Sequence, residues 1–199
     1  MKYLSFDLEA TGLDEQDLII EFAMVPFCTK TKSISKELSM HYYLKCPTFE
    51  TLKPKLNEWV IENNEKLIRK SAKEGISLIE FKEKLTNYLE SDELKNYFNL
   101  EENKKIILFG KSMNSIDLPF LTRDLGWSYL RSFFSHQVLD LSSIVMAFID
   151  MDLLPDDCIS GSSLMNYFGM GDVAHTALED AVNTAQLYLN MTELKQLRD

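Results

Sequence analysis

The sequence predicts an α/β domain built on a mixed sheet, and three observations predict it. Short apolar segments, partly with period-two alternation, open the chain. A long Glu-, Lys- and Leu-rich stretch with helical spacing follows, and strand–helix units close it. The 199 residues suit one domain over 1–199, with 50–99 as a helical arm or insert within it. Hydrophobic residues make up 45% of the chain, enough for a core and inconsistent with global disorder.

Residues 2–8 (KYLSFDL) alternate and predict the first strand. Residues 18–27 (LIIEFAMVPF) predict a second and 36–44 (KELSMHYYL) a third. The short links between them, Thr11-Gly12-Leu13-Asp14 and then 29–35, suit antiparallel hairpins. In the arm, Ser77 and Glu80 form a capping box ahead of the helical pattern Leu78, Phe81, Leu85, Tyr88, Leu89. Residues 105–110 (KIILFG) predict a short buried strand. A helix is expected from Asp117, because Pro119 is tolerated only in a first turn. Asp140 is placed to cap a helix over 141–150, and Ser162 or Ser163 to start a short helix before Gly169. The last helix is expected over 177–196.

Net charge is −10, which argues against coating long duplexes by electrostatics alone. The charge does not exclude a phosphate-containing ligand, because acids that hold divalent cations are neutralised and bound metal attracts phosphate. No apolar run approaches ~18 residues, so no membrane span is expected. Acids appear too early at the N-terminus for a signal peptide. Cys28, Cys46 and Cys158 match no zinc pattern or disulfide framework. They predict free thiols in a reducing cytoplasm.

Three fragments carry potential chemistry. Asp7 and Glu9 lie two apart on a strand, so both carboxylates project from one face, where a hard divalent cation would offset their desolvation. Two solvated acids at a strand end are the structural alternative. Asp117 opens a helix after the apolar strand, Gly110 and a polar loop; a simple helix cap explains it as well. In His175-Thr176-Ala177-Leu178-Glu179-Asp180-Ala181, Thr176 and Glu179 fit a capping box. His175 then precedes the helix and Asp180 sits one turn in. Ala177, Ala181 and Ala185 make a narrow surface able to approach a sheet. A surface histidine and a solvated helix acid are the structural alternatives.

Together the fragments resemble the DEDDh-type 3′→5′ exonuclease family: Asp-x-Glu on the first strand, Asp at the start of a middle helix, His-x-x-x-x-Asp on a late helix. FDLEATGL followed by IIEFAMV, and HTALEDA, are typical of that family. The resemblance covers 2–26 and 105–190 well and the arm poorly. It implies a ribonuclease H-like mixed five-stranded sheet flanked by helices, with strands one to three antiparallel and strands four and five parallel to the first. It implies that Asp7, Glu9, Asp117 and Asp180 hold two Mg²⁺ or Mn²⁺ ions in a two-metal hydrolysis with His175 as general base. The substrate would be a single-stranded DNA or RNA 3′ end, the product a nucleoside 5′-monophosphate. Backbone around Ala10, Thr11, Gly12 and Leu13 would lie near the terminal nucleotide, with Leu13 a candidate wedge.

The middle motif departs from the family at Ser112, where relatives usually carry Asn nearby, at Ile116, where they carry an aromatic, and at Lys111, where many carry His. Oligoribonuclease-like degradation of short RNA is the alternative substrate reading, and a non-catalytic nucleic-acid- or polymerase-binding module the alternative class. A DNA polymerase or a second copy of the chain enters as a partner by resemblance alone. Phe120 reads as core before stacking platform. Lys53, Lys55, Lys66, Arg69, Lys70 and Lys73 read as a solvated helix face before a strand-tracking one. Asp14, Glu15 and Asp17 are expected to face solvent, and Asp156 and Asp157 to lie in a loop.

Overall fold

The structure, a computed structural model, describes residues 1–100, 104–171 and 176–194. In chain order its strands and helices are β1 (Lys2–Ala10), β2 (Ile19–Cys28), β3 (Ser33–Ile34), β4 (Met40–Tyr43), α1 (Phe49–Leu52), α2 (Glu58–Glu74), α3 (Leu78–Leu89) and α4 (Asp92–Phe98). There follow β5 (Ile106–Gly110), α5 (Asp117–Leu125), α6 (Trp127–Phe133), β6 (Phe134–Asp140), α7 (Leu141–Asp150), α8 (Gly161–Tyr167) and α9 (Ala177–Leu194). The sheet order is β3-β2-β1-β5-β6, with β4 also paired to β2. β1 and β2 are antiparallel, and β5 and β6 run parallel to β1, so the sheet is mixed as expected.

Among the described residues the sheet has six strands rather than five. The predicted third strand, 36–44, is half strand: Lys36–Leu38 form a 3-10 turn and only Met40–Tyr43 pair with β2. β2 is ten residues long and buried throughout, so two short segments, β3 and β4, share its outer edge. The helix before Gly169 starts earlier than expected, with Ser160 rather than Ser162 or Ser163 accepting the capping bond, from Ser163 N. Asp156 and Asp157 belong to a 3-10 turn over Asp156–Ile159. Residues 127–139, where α6 and most of β6 lie, carry no pattern that predicts an element. β6 is a half-exposed edge strand without clean alternation, which hides it from pattern reading.

Parity along β1 separates two cores. Leu4, Phe6 and Leu8 point to one face with Phe22 and Met24, where Phe81, Leu85 and Leu89 of α3 and Phe120 and Leu121 of α5 cover them. Tyr3 points to the other with Phe27 and Phe109, under α7, α8 and α9. Ser5, on the Tyr3 side, donates its hydroxyl to Ala181 O of α9 at 2.7 Å. Ala177, Ala181 and Ala185 are fully buried there, so the alanine stripe is what admits the helix so close to the strand.

The arm is folded onto the sheet. Ser77 caps α3, accepting from Glu80 N at 3.2 Å, as the box predicts. Ser71 of α2 donates to Ile20 O at 2.6 Å. Phe81 and Phe22 are fully buried and meet edge to face, ring centroids 4.9 Å apart. Phe81→Ala is therefore expected to cost about 3–5 kcal/mol. The check is a urea melt, whose midpoint should fall with little change in slope. The basic residues of the arm are exposed; Arg69 is held by Glu50 and Glu65, and Lys70 by the Tyr43 hydroxyl. Among the described residues no helix is long and apolar enough to cross a membrane. The three cysteines are free and buried.

Candidate active site

β1 delivers Asp7 and Glu9 on the face where α9 packs, two residues apart as a strand requires. α9 delivers Asp180 from its first turn. Carboxylate oxygens of Asp7, Glu9 and Asp180 lie within 4.8 Å of one another. Asp117 opens α5 with Pro119 inside its first turn, as the sequence predicts. Its Oδ1 accepts from Leu8 N at 3.3 Å, which seats it beside the strand between the two acids. The four acids line or border one cavity of about 370 Å³, with Lys111, Trp59 and Met165 on its walls. His175 lies outside the described residues.

The electrostatics are those of like charges forced together. Burial, then Asp117, Asp180, Glu9 and Glu21, hold the Asp7 carboxyl well above its ordinary range. Glu9 is pushed up to about 7 by burial first and then by Asp180, Glu21 and Asp117, with an opposing hydrogen bond from Asn64. Asp117 is raised to about 7, chiefly by burial. Packed oxygen donors with unbalanced negative charge fit a hard divalent cation, which wants carboxylate oxygen and supplies the missing charge.

The loop after β1 is a closed turn. Thr11 donates its hydroxyl to Asp17 Oδ1 at 2.8 Å, and Asp14 N donates to Asp17 Oδ2 at 2.8 Å. Asp17 thus corrects the expectation of a solvent-facing acid: it is the acceptor that shapes the loop. A β-carbon on Gly12 would run into that carboxyl, so a larger residue there would have to displace Asp17 from its two hydrogen bonds. Arg123 of α5 donates to Glu15 O and Asp17 O, both at 2.7 Å. Leu13 projects at the tip, 75% exposed. Phe120 is core, as expected, with the Arg123 guanidinium over its ring. In the middle loop Ser112 has φ 54, a left-handed conformation that asparagine adopts more readily than serine. Its N–H and hydroxyl are held by Asp140 Oδ1 and Ser142 Oγ.

Three neighbours of the acids went unread in the sequence. Trp59 and Asn64 of α2 line a second, mostly apolar cavity of about 600 Å³ with Glu9, Ala10, Gly12 and Leu13. Asn64 is 3% exposed and donates to Ala10 O at 3.5 Å. Its signal was a polar residue inside the buried stripe Val60, Asn64, Ile68. Glu21, fully buried, interrupts the apolar run of β2 opposite Glu9.

No curated protein sequence matches. Among solved structures the chain is similar to cell-death related nuclease 4, with TM-score 0.69 and 18% identity over 97% of this chain and 64% of that one, so it spans just under two thirds of that protein's length. It is also similar to the nuclease domain of 3′hExo, a DEDDh family member bound to rAMP (TM-score 0.62, 17% identity, 96% and 92% covered). A third similar structure is E. coli exonuclease I in complex with a dA16 oligonucleotide (TM-score 0.69, 16% identity, 99% and 42% covered). At these identities the structures show a shared ribonuclease H-like fold. The RNase T family model, described as exonuclease, matches residues 4–188, a span that contains all four acids. The chain belongs to this exonuclease family, of DEDDh type.

Proposed function

We propose that the protein is a metal-dependent 3′→5′ exonuclease that hydrolyses the terminal phosphodiester of a single-stranded DNA or RNA and releases a nucleoside 5′-monophosphate. The observation that carries this reading is the convergence of Asp7, Glu9 and Asp180 within 4.8 Å, with Asp117 alongside, in a chain of exonuclease family. The structures of E. coli exonuclease I in complex with dT13 and dA16 oligonucleotides support a single-stranded substrate.

Mg²⁺ or Mn²⁺ held by Asp7, Glu9, Asp117 and Asp180 would neutralise phosphate charge and polarise both the attacking water and the leaving 3′-oxygen. The chain's own residues do the rest. His175 is assigned the proton of the attacking water, acting as base near neutral pH. Lys111, on the cavity wall, adds a cation able to contact a phosphate oxygen. The Ala10–Leu13 turn is assigned the terminal sugar, with Leu13 against its base. Trp59 faces both the acid cavity and the apolar one, which makes it a stacking wall for that base. Such contacts read no sequence, in keeping with trimming of any end.

Incubation with 5′-labelled single-stranded DNA and RNA, in Mg²⁺, Mn²⁺ or EDTA, tests the proposal. A metal-dependent ladder shortening from the 3′ end is expected, and the faster ladder names the substrate. Uncut oligomers of every length would leave a non-catalytic binding module as the reading. Trp59→Ala is expected to raise KM about 5- to 100-fold, the cost of one lost stacking contact, with the smaller change in kcat. An unchanged KM would remove Trp59 from the base site.

A further inference from the structure

We infer that Glu21 is a positioning residue that sets the start of α9, and with it Asp180, against the acids of β1; this rests on the reading of Asp180 as a metal ligand. Glu21 stands opposite Glu9 in the β1–β2 ladder, next to the register shift at Glu9/Ala10. Its side chain is fully buried, and both of its oxygens are committed. Oε2 accepts the N–H of Ala177, the first residue of α9, at 3.2 Å. Oε1 meets Nε2 of His41, on β4, at 2.5 Å.

The arrangement has a physical logic. The first N–H groups of a helix have no partner inside it, and one buried without an acceptor is costly. Here the acceptor comes from a strand rather than from the capping residue. Thr176 instead turns its hydroxyl to the Glu179 carboxylate, at 2.8 Å. The first turn of α9 is therefore tied to β2, and Asp180, three residues past Ala177, is carried with it. Farther along, Ser5 fixes the same helix at Ala181 O. The two ties come from adjacent strands and bracket Asp180, so they set its distance to Asp7 and Glu9. With Oε1 and Oε2 engaged in this way, Glu21 acts through the helix, outside the ligand set, and His41 holds the carboxyl in the orientation that reaches Ala177.

The test compares Glu21→Met, which keeps bulk but removes both acceptors, with Glu21→Gln, which keeps an acceptor for Ala177 N. Mn²⁺ binding is titrated by spin resonance, and kcat and KM are measured on a single-stranded oligomer, with Asp180→Asn alongside. In Glu21→Met the half-saturating Mn²⁺ is expected to rise, and kcat to fall, about 10- to 100-fold, the usual cost of losing an outer support of a metal site. KM should stay within about 3-fold and Glu21→Gln near wild type, as the tie to Ala177 is kept. Glu21→Met with wild-type Mn²⁺ binding and kcat would overturn the inference, as would Glu21→Gln failing as badly as Glu21→Met. If Glu21→Met does not fold, hydrogen exchange of the wild-type chain decides. Protection of the Ala177 amide is expected, and free exchange rejects the tie. A wild-type chain that neither binds Mn²⁺ nor differs from Asp180→Asn would refute the site itself and this inference with it. Mn²⁺ binding lost in Asp180→Asn but intact in Glu21→Met would refute the positioning role alone.

Discussion

Asp7→Asn is expected to lower the hydrolysis rate by at least about 10³-fold, on the scale of removing an electrostatic support of the transition state, without destabilising the metal-free protein. Asp7 is the centre of the cluster: burial and four neighbouring carboxyls, Asp117, Asp180, Glu9 and Glu21, all act against its ionisation. Asparagine keeps the shape and removes the charge, so the metal-free fold loses repulsion and keeps its packing. The same change deprives a cation of a ligand that no neighbour can replace, since Glu9 and Asp180 are already drawn into the cluster. Two measurements on one sample separate the effects. The ladder assay should fall to background, and the melting temperature in EDTA should hold or rise. A variant that loses activity and melting temperature together would make Asp7 a structural acid, and one that retains activity would remove it from the site.

The second large effect concerns pH and metal. In EDTA the protein is expected to become less stable as pH rises from about 5 to about 8, and divalent metal should reverse this at the upper end. Glu9 moves from an ordinary 4.5 to about 7 on folding, and Asp117 from 3.8 to about 7. Between those limits the native state holds protons that the unfolded chain has released. Stability therefore falls as pH rises. The contribution is complete below the unfolded values and is lost as pH passes through about 7. A cation held by the ionised native cluster and not by the unfolded chain would reverse the balance. At a hundred times its dissociation constant it adds about 2.7 kcal/mol, or roughly 5–10 °C for a chain of this size. Scanning calorimetry across that pH range, with EDTA and with Mn²⁺, checks both halves. A profile that is flat with pH and indifferent to metal would remove the carboxylate cluster as a cation site.

The elements that follow regular periods were legible in the sequence. β1, β2 and β5 showed as apolar strands, α3 through its Ser77 box, and α5 through Pro119. Asp140 was read correctly as the cap of α7, since its carboxylate accepts from Ser142 N. Segments whose pairing is set by a neighbour were not legible. Residues 36–44 read as one strand, but the long edge of β2 is shared between β3 and β4, and Lys36–Leu38 form the 3-10 turn that joins them. β6 is invisible until β5 supplies its ladder.

The same division runs through the site. By itself, the sequence determined which acids are available and what family they mark, because a spacing of two on a strand and a box at a helix start are local geometry. It also determined that α9 could lie close to the sheet, because alanines at four-residue intervals leave room. Only the tertiary structure decided that Asp7, Glu9 and Asp180, far apart in the chain, share one cavity, that Asp117 is seated by Leu8 N, and that the arm places Trp59 and Asn64 beside them. It alone gave Glu21 and Asp17 their partners. A buried carboxyl is stable only through groups that the fold brings to it, and those contacts span sequence distances over which no local pattern carries information.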